Sequence, residues 1–586
     1  MTRLTAPSLQ IDGMAIRSTT FGDIYFQPED GLAEVRHVFL DGNDLPDRFA
    51  ALTPGQHFVI GELGFGTGLN CLAAAALFLS VAPTDTHLSL WSAEAHPLPQ
   101  STLQALLGDV AERWPELAVM AHALRDLYPP ARPGLVQLRL HRRVTLTIAM
   151  GSAVQGLEDS PFKADAFFLD GFAPSTNPDM WSPELMALVA QHIAPGGTLS
   201  TFTVAGTVRR ALADAGIEVD RTPGFGRKRQ MLRGRKPGEF TRSKAARVAI
   251  AGAGIAGASL SWHLQRAGID VMLQDPSGAA SGASGNPIGL LMPRLDASTE
   301  PQAYLYRDAF LSALRFYNEA TPDCLLVRGG HILDTEQKQQ RRFQKVLENG
   351  LWADGDLVLT PDAHLHVPAG ATLKAAEAVR LLISDTEIAD ASETEWLTDR
   401  QDIDCVIFAV GPQLAHHVPL LRPDLTASRG QLDWWEGPGM STIRTNSHYI
   451  APWADGFAAG ATYDVTAVDA AVEANGESSA QNRHAALRLS GLAADKLGTS
   501  NGARAAKRAV TTDRHPICGP VVSVHGTNRQ RSYVLGGLGS RGLSTAPLLA
   551  AHLTAMVTET ISPLTRSVQQ MIAADRFEQR RQRRQT

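Results

Sequence analysis

Three carboxylates follow apolar runs at the positions where open α/β sheets hold their ligands: Glu94 after Leu88–Ala93, Asp170 after Ala164–Leu169, and Asp275 after Asp270–Gln274. Two of them are preceded by glycine-rich loops of different design. Gly61-Glu-Leu-Gly-Phe-Gly-Thr-Gly68 stands upstream of Glu94, and Gly252-Ala-Gly-Ile-Ala-Gly257 upstream of Asp275. Glycines at 64, 66 and 68 let backbone approach a ligand closely and turn the amides of a helix N-terminus toward it. The downstream acid then suits the hydroxyls of a sugar. Asp170 offers different chemistry: a carboxylate at a strand edge can accept a proton from an attacking amine or position it, or simply cap a turn. Two nucleotide-type cofactors in one chain are expected.

The elements around these residues must be strand, loop and helix in repetition. His57–Ile60 runs into the first loop, and Asn70–Ala82 reads as an Ala/Leu-rich helix. Leu69-Asn70 stands where a phosphate-binding P-loop needs Lys-Ser/Thr, which disfavours a nucleoside triphosphate. Pro195-Gly196-Gly197 introduces a strand at Thr198–Thr203, and Val208–Ala215 reads as a helix. Arg247–Ala251, the second loop, a helix and Asp270–Gln274 complete a βαβ fingerprint, with Gly252, Gly254, Gly257 and Asp275 as dinucleotide contacts. Strands alternating with helices predict α/β architecture with doubly wound sheets.

At 586 residues the chain exceeds one hydrophobic core, and 44% hydrophobic with 19% charged residues is ordinary for a soluble protein. The N-terminus has no apolar signal core, and Cys71–Ala82 is too short to span a bilayer, so a cytoplasmic location without membrane contact is expected. Cys71, Cys324, Cys405 and Cys518 are far apart, which disfavours disulfides and a metal site. Net charge is −6, yet Arg221, Arg227, Lys228, Arg229, Arg233, Arg235 and Lys236 fall in a stretch without Asp or Glu. That stretch reads as a phosphate-contacting patch or a solvated linker, and the terminal Arg580-Arg581-Gln-Arg583-Arg584 as a disordered tail or a second patch.

Gly61–Asn70, Phe168-Leu-Asp-Gly-Phe-Ala-Pro174, Asn177-Pro-Asp-Met-Trp181 and Gly224-Phe-Gly-Arg-Lys-Arg229 together resemble the methyltransferase half of the MnmC family, bifunctional enzymes of tRNA wobble-uridine modification. The resemblance implies a Rossmann-like class I methyltransferase sheet, with S-adenosylmethionine at Glu62, Gly64, Gly66, Gly68, Asn70 and Glu94 and with Asp170 in the active site. The pattern departs at Ser152, where the family carries an Asp as an adenine-side contact. Ala280-Ser-Gly-Ala-Ser-Gly-Asn286 resembles the flavin-approach segment of glycine and D-amino-acid oxidases, and Gly411 and Tyr533–Gly542 resemble later segments of that fold. This implies FAD at Gly252, Gly254, Gly257, Asp275, Ser284, Gly285, Gly411, Gly537, Gly539, Arg541 and Gly542. Arg541 places charge near the flavin or an anionic substrate group, or else forms a surface salt bridge.

Ser428–Gln431 and Gly460–Tyr463 resemble the substrate-domain sheet of such oxidases, and Arg508, Asp513, Pro516 and Gly519 fit the MnmC pattern; His515 reads as structural. Expected boundaries are a methyltransferase at 1–236, a linker at 237–246 and an FAD-dependent oxidoreductase at 247–586, with an inserted mixed or antiparallel substrate domain within about 296–503. The resemblance implies removal of the carboxymethyl group from 5-carboxymethylaminomethyl-2-thiouridine, then N-methylation of the aminomethyl product on tRNA. Two alternatives remain: a fused small-amine oxidase and N-methyltransferase, and a non-enzymatic RNA-binding scaffold. Oligomeric state is not legible, and a monomer is compatible with the sequence.

Overall fold

Alternate residues of the predicted first-half strands are buried on opposite sides, which is the signature of a sheet covered on both faces. Phe58, Ile60, Leu88, Leu90 and Phe168 join one core, while Val59, Leu63, Trp91, Phe167 and Leu169 join the other. The computed structural model describes residues 4, 7–12, 15–19, 23–24, 30–172, 174–226, 228–243, 245–333, 337–389, 402–437, 439–521 and 531–585. Ala173 of the Phe168–Pro174 motif and Arg227 of the basic stretch lie outside the described residues. The chain divides into two compact units: Met1–Lys244 with Arg266–Gly268 and Ala555–Arg566, and Ala245–Gln265 with Ile269–Thr554 and Ser567–Thr586.

In the first unit an eight-stranded sheet runs in the order Glu218–Pro223, Gln230–Arg235, Ile193–Thr201, Ala164–Leu169, His57–Leu63, His87–Glu94, Val144–Met150 and Gly134–His141. The strands from Ile193–Thr201 to Val144–Met150 are parallel, and antiparallel partners close each side. His57–Leu63 lies between the strand that follows it in sequence and Ala164–Leu169, so the order of strand connection reverses there and opens a crevice at the carboxyl ends. Helix Leu69–Val81 is apolar all round because its first turns are buried, from Leu69 to Ala75.

In the second unit, Arg247–Ala251 pairs in parallel with Asp270–Gln274 on one side and Cys405–Phe408 on the other, and helix Ile255–Arg266 makes the crossover. Glu387–Ile388, Arg531–Gly536 and Ile517–Pro520 complete that six-stranded sheet. A separate ten-stranded, mainly antiparallel sheet is built around Leu425–Glu436, which pairs along nearly its whole length with Gly502–Thr511. Arg429, Gln431 and Asp433 share one face of that strand, as period two requires. There Gln431 donates to Asp433 (3.1 Å), which also accepts from Asn482 of helix Gly476–Ser490 (2.6 Å). The Ser428–Gln431 motif therefore docks a helix onto the sheet.

Two basic stretches are more ordered than their composition suggests. The one beginning at Arg221 forms an antiparallel hairpin, with Arg221 opposite Leu232. Within it Lys228 pairs with Glu34 (3.0 Å), Arg233 pairs with Asp44, and Lys236 donates to the carbonyls of Ala190 and Ile193. The C-terminal arginines are not a disordered tail: helix Arg576–Gln585 places Arg580 against Asp513 (2.8 Å) and Arg581 against Asp424. Clustered arginine becomes helical surface where carboxylates of the same unit receive it.

Candidate active sites

The first loop turns on glycine because three of its residues have positive φ: Gly64 at 81°, Gly66 at 53° and Gly68 at 81°. At Gly64 a side chain would also meet the Asp170 carbonyl at 3.2 Å, so the loop packs directly on the neighbouring strand end. Glu94 ends its strand and locks the loop: one carboxylate oxygen accepts from the Gly66 amide (2.8 Å) and the other from the His96 amide (2.7 Å). A carboxylate has about four acceptor positions. Acceptor capacity beyond these backbone amides is available to ligand hydroxyls. Burial raises the Glu94 pKa, and these backbone hydrogen bonds oppose the rise.

Asp170 stands beside the loop, one oxygen accepting from Asn70 Nδ2 and the other from the Gly171 amide, both at 2.8 Å. Burial pushes its carboxyl up to about 6, against those same hydrogen bonds. Glu62 is only 1% exposed and is not among the cavity-lining residues. One of its oxygens accepts from Ser92 (2.5 Å) and Cys71 (3.2 Å), and the other has no partner. Burial pushes Glu62 to about 8, against the Ser92 and Cys71 hydrogen bonds, so it keeps its proton at neutral pH.

These groups border a cavity of about 420 Å³ that gathers Gly64, Gly66, Asn70, Glu94 and Asp170; Gly68 caps the helix behind it. A second cavity of about 550 Å³ shares Ala95 and His96 with the first and is lined by Ser152, Gln155 and Asp159. An elongated ligand with a sugar at Glu94 fits the pair. Lys228, part of the basic stretch, lines the first cavity, its ammonium 4.1 Å from the Phe202 ring centroid. Glu34, Phe172, Met180 and Phe202 also line it, and no motif spacing had singled out Glu34 or Phe202.

In the second unit the three loop glycines answer to three constraints. A side chain at Gly252, whose φ is 106°, would strike the Ala409 carbonyl at 2.5 Å, and one at Gly257 would strike the Gly252 carbonyl at 1.8 Å. At Gly254 the nearest atom is Ser284 Oγ at 3.2 Å, so there the absent side chain leaves room on the ligand side. Asp275 accepts from the Ala253 and Ser277 amides (2.8 and 2.9 Å), and Ser284 Oγ accepts from the Ile255 amide at the first helical turn (2.9 Å). Gly285 lies under Arg504, which donates to Asn286 and to the carbonyls of Ser281 and Gly282. A dinucleotide fits this cradle.

A cavity of about 310 Å³ lies beyond it, reached by Ser284, Gly539, Arg541 and Gly542; Gly411 and Gly537, with φ of 57° and 63°, turn loops outside its lining. Arg541 donates to the Met292 carbonyl (3.0 Å) and has no surface salt bridge among the described residues. Arg294, Arg342 and Arg508 join Arg541 in the lining, and no Asp or Glu does among the described residues. One guanidinium nitrogen of Arg508 is buried without a hydrogen-bond partner. His515 does not line the cavity; its carbonyl accepts from Thr511 and Arg576. Arg294 and Arg342 escaped sequence reading because isolated arginines carry no spacing signal.

Among the described residues no cluster of His, Cys, Asp and Glu is placed to hold a metal, and no helix is long and apolar enough to cross a membrane. A family model described as S-adenosyl-L-methionine-dependent methyltransferase matches residues 115–237, and one described as FAD dependent oxidoreductase matches residues 247–556. The tRNA 5-methylaminomethyl-2-thiouridine biosynthesis bifunctional protein MnmC of Caulobacter sp. (strain K31) is 37% identical over 603 residues, covering 97% of both chains. That of Maricaulis maris is 37% identical over 601 residues, covering 97% of this chain and 95% of its own. A glycine oxidase structure from Bacillus cereus, 19% identical, covers 54% of this chain and 95% of its own with a TM-score of 0.45. The chain belongs to the MnmC family, its S-adenosylmethionine-dependent methyltransferase domain preceding its FAD-dependent oxidoreductase domain.

Proposed function

We propose that this chain performs two successive modifications of a wobble uridine in cytoplasmic tRNA. The FAD half removes the carboxymethyl group from 5-carboxymethylaminomethyl-2-thiouridine, and the other half methylates the exposed amine to 5-methylaminomethyl-2-thiouridine. The observation that carries this reading is the contrast between the two cavities: Asp170 and Glu94 line one, and four arginines with no Asp or Glu among the described residues line the other.

The arm to be oxidised ends in a carboxylate, and Arg541 with Arg508 would hold it by charge-assisted hydrogen bonds. Bound FAD supplies the two-electron acceptor for the carbon–nitrogen bond. Gly252, Gly254, Gly257, Asp275, Ser284 and Gly285 would hold FAD at the first helical turn, and Gly411, Gly537, Gly539 and Gly542 would bring backbone toward it. The protein orients the arm; loss of two electrons and two protons would leave a carbon–nitrogen double bond, and water adding to it would release the two carbons as glyoxylate and leave an aminomethyl group.

That amine is the substrate of the first unit, and an alkylammonium ion has no lone pair for attack. With amine pKa values near 10.4, a neighbouring base is needed. Asp170, at about 6, is ionised at neutral pH and would take the proton while Asn70 and the Gly171 amide hold it in place. Glu94 would accept hydrogen bonds from the ribose hydroxyls of S-adenosylmethionine, and the tight turns at Gly64 and Gly66, whose amides are taken up by the Ala93 carbonyl and by Glu94, would let backbone approach its methionyl end. Neutral Glu62 would brace Asn70 from behind. The join between the two activities is assigned to 237–246.

Purified protein incubated with tRNA bearing the carboxymethylaminomethyl group, followed by nucleoside mass spectrometry, tests the proposal. Aminomethyl product without S-adenosylmethionine and methylaminomethyl product with it are expected. Unchanged tRNA with FAD bound would overturn the reading in favour of small-amine substrates.

A further inference from the structure

The rim of the arginine-lined cavity carries a feature that a small amine does not call for. Tyr463 lines this cavity yet is 59% exposed, and no other Phe, Tyr or Trp among the described residues stands so far out. Its ring is held against Arg508, whose guanidinium carbon lies 5.1 Å from the ring centroid. Arg508 in turn crosses Gly430, where a side chain would meet the guanidinium at 2.6 Å. The ring is therefore presented by a backed support. Val465, two residues on, is 88% exposed and extends the apolar surface beside it.

Among the described residues the cavity lining carries charge of one sign, and Asp464, next to Tyr463 in sequence, is paired with Arg429 (3.0 Å). Arg294 lies 4.3 Å from the Tyr306 ring centroid, and Arg342 donates to the Leu295 carbonyl (2.7 Å); both line the cavity. Asp296, the acid beside them in sequence, is turned to the amide and hydroxyl of Ser298 (2.9 and 2.7 Å). Arg541 and Arg508 suffice for the carboxylate of the arm, which leaves Arg294 and Arg342 over. An exposed aromatic ring stiffened by a cation, with further cations alongside, matches what unpaired bases and their phosphates require: a π-face to stack on and positive charge to neutralise the backbone.

We propose that Tyr463 is a stacking platform for an unpaired nucleobase of the RNA substrate at the mouth of the oxidase cavity, with Arg294 and Arg342 taking adjacent phosphates. This rests on the tRNA reading above. It makes Tyr463 a positioning residue: the ring would fix the nucleotide whose arm enters the cavity and would separate an RNA-borne arm from free amino acids.

Anaerobic bleaching of the flavin in the full-length FAD-loaded protein, titrated with tRNA bearing the carboxymethylaminomethyl group and without S-adenosylmethionine, tests it. With Tyr463→Ala the half-saturating tRNA concentration should rise about tenfold or more, as loss of a base–aromatic stack implies. The limiting bleaching rate should change by less than about threefold and FAD content not at all, while Tyr463→Phe should restore wild-type half-saturation. Unchanged half-saturation in Tyr463→Ala overturns the platform and leaves the tRNA reading standing. So does a fall in limiting rate or flavin content as large as the change in half-saturation, or a failure of Phe to rescue. A wild-type flavin that tRNA does not bleach overturns the tRNA reading, and the platform with it.

Discussion

The two cavities use one device and then diverge. Glu94 and Asp275 each accept a hydrogen bond from an amide of the preceding glycine loop, so in both units the acid holds the loop in shape while keeping lone pairs for a ligand. Beyond that point the first cavity has Asp170, raised to about 6 by burial, whereas the second has Arg294, Arg342, Arg508 and Arg541. On the proposed reading the carboxylate serves a site that would deprotonate an ammonium ion, and the guanidinium groups serve one that would hold a carboxylate. The loop-and-acid device recurs while the charged groups beyond it differ.

The sharpest way to break this contrast is Asp170→Asn. Methyl transfer should fall by about 10²- to 10⁴-fold, the usual contribution of a positioned base, while carboxymethyl removal is unchanged. Aminomethyl nucleoside would then accumulate in mass spectra even with S-adenosylmethionine present. The wild-type methylation rate should rise with pH through about 6 as Asp170 loses its proton, and this step should vanish in the variant. A retained step would assign the base elsewhere.

Arg541→Leu should act on the opposite side, lowering oxidation by about 10- to 100-fold through loss of charge-assisted hydrogen bonds. Methylation of tRNA already carrying the aminomethyl group should be unaffected, so the two assays run on one variant separate the halves. A smaller effect is expected at Gly254, where only Ser284 Oγ stands near an added side chain. Gly254→Ala should keep the fold, with apo thermal midpoint within a few degrees, but weaken FAD binding by about tenfold because it fills ligand space. Equilibrium binding of FAD measures this directly.

The last expected effect concerns stability and leaves both reactions in place. Glu62 in the folded protein titrates at about 8, above the unfolded value of about 4.3, so the folded state holds a proton that the unfolded state releases across that window. Stability from this group is full below about 4.3 and is lost as pH rises through about 8. Thermal midpoints of wild type should therefore fall more steeply from pH 5 to 8 than those of Glu62→Gln. Parallel curves would show that Glu62 is not held neutral.

Much of the fold was legible because its strands are short, apolar and bounded by glycine or acid. Arg247–Ala251 and Asp270–Gln274 were read at their observed limits, and the Leu69–Val81 helix within one residue at each end. The basic stretches were harder. Arg233 with Asp44 and Arg580 with Asp513 are partners 189 and 67 residues apart, and composition carries no information about contacts at such separations. Lys228 likewise reads as one more surface cation until the hairpin beginning at Glu218 returns it to the cavity.

Local sequence by itself determined the two glycine loops, the acids that follow them, the strand end that carries Asp170 and the glycine-rich turn that carries Arg541. These follow from backbone constraints that operate over a few residues: positive φ, close approach of chains and the first turn of a helix. Tertiary structure alone decided the chemical character of each cavity. Burial moves Asp170 and Glu62 to different protonation states although both are carboxylates at the ends of apolar runs, and Arg294, Arg342, Arg508 and Tyr463 meet at one rim from separate segments of a folded sheet domain. Solvation and long-range proximity exist only once the chain has closed, because both depend on which distant residues displace water.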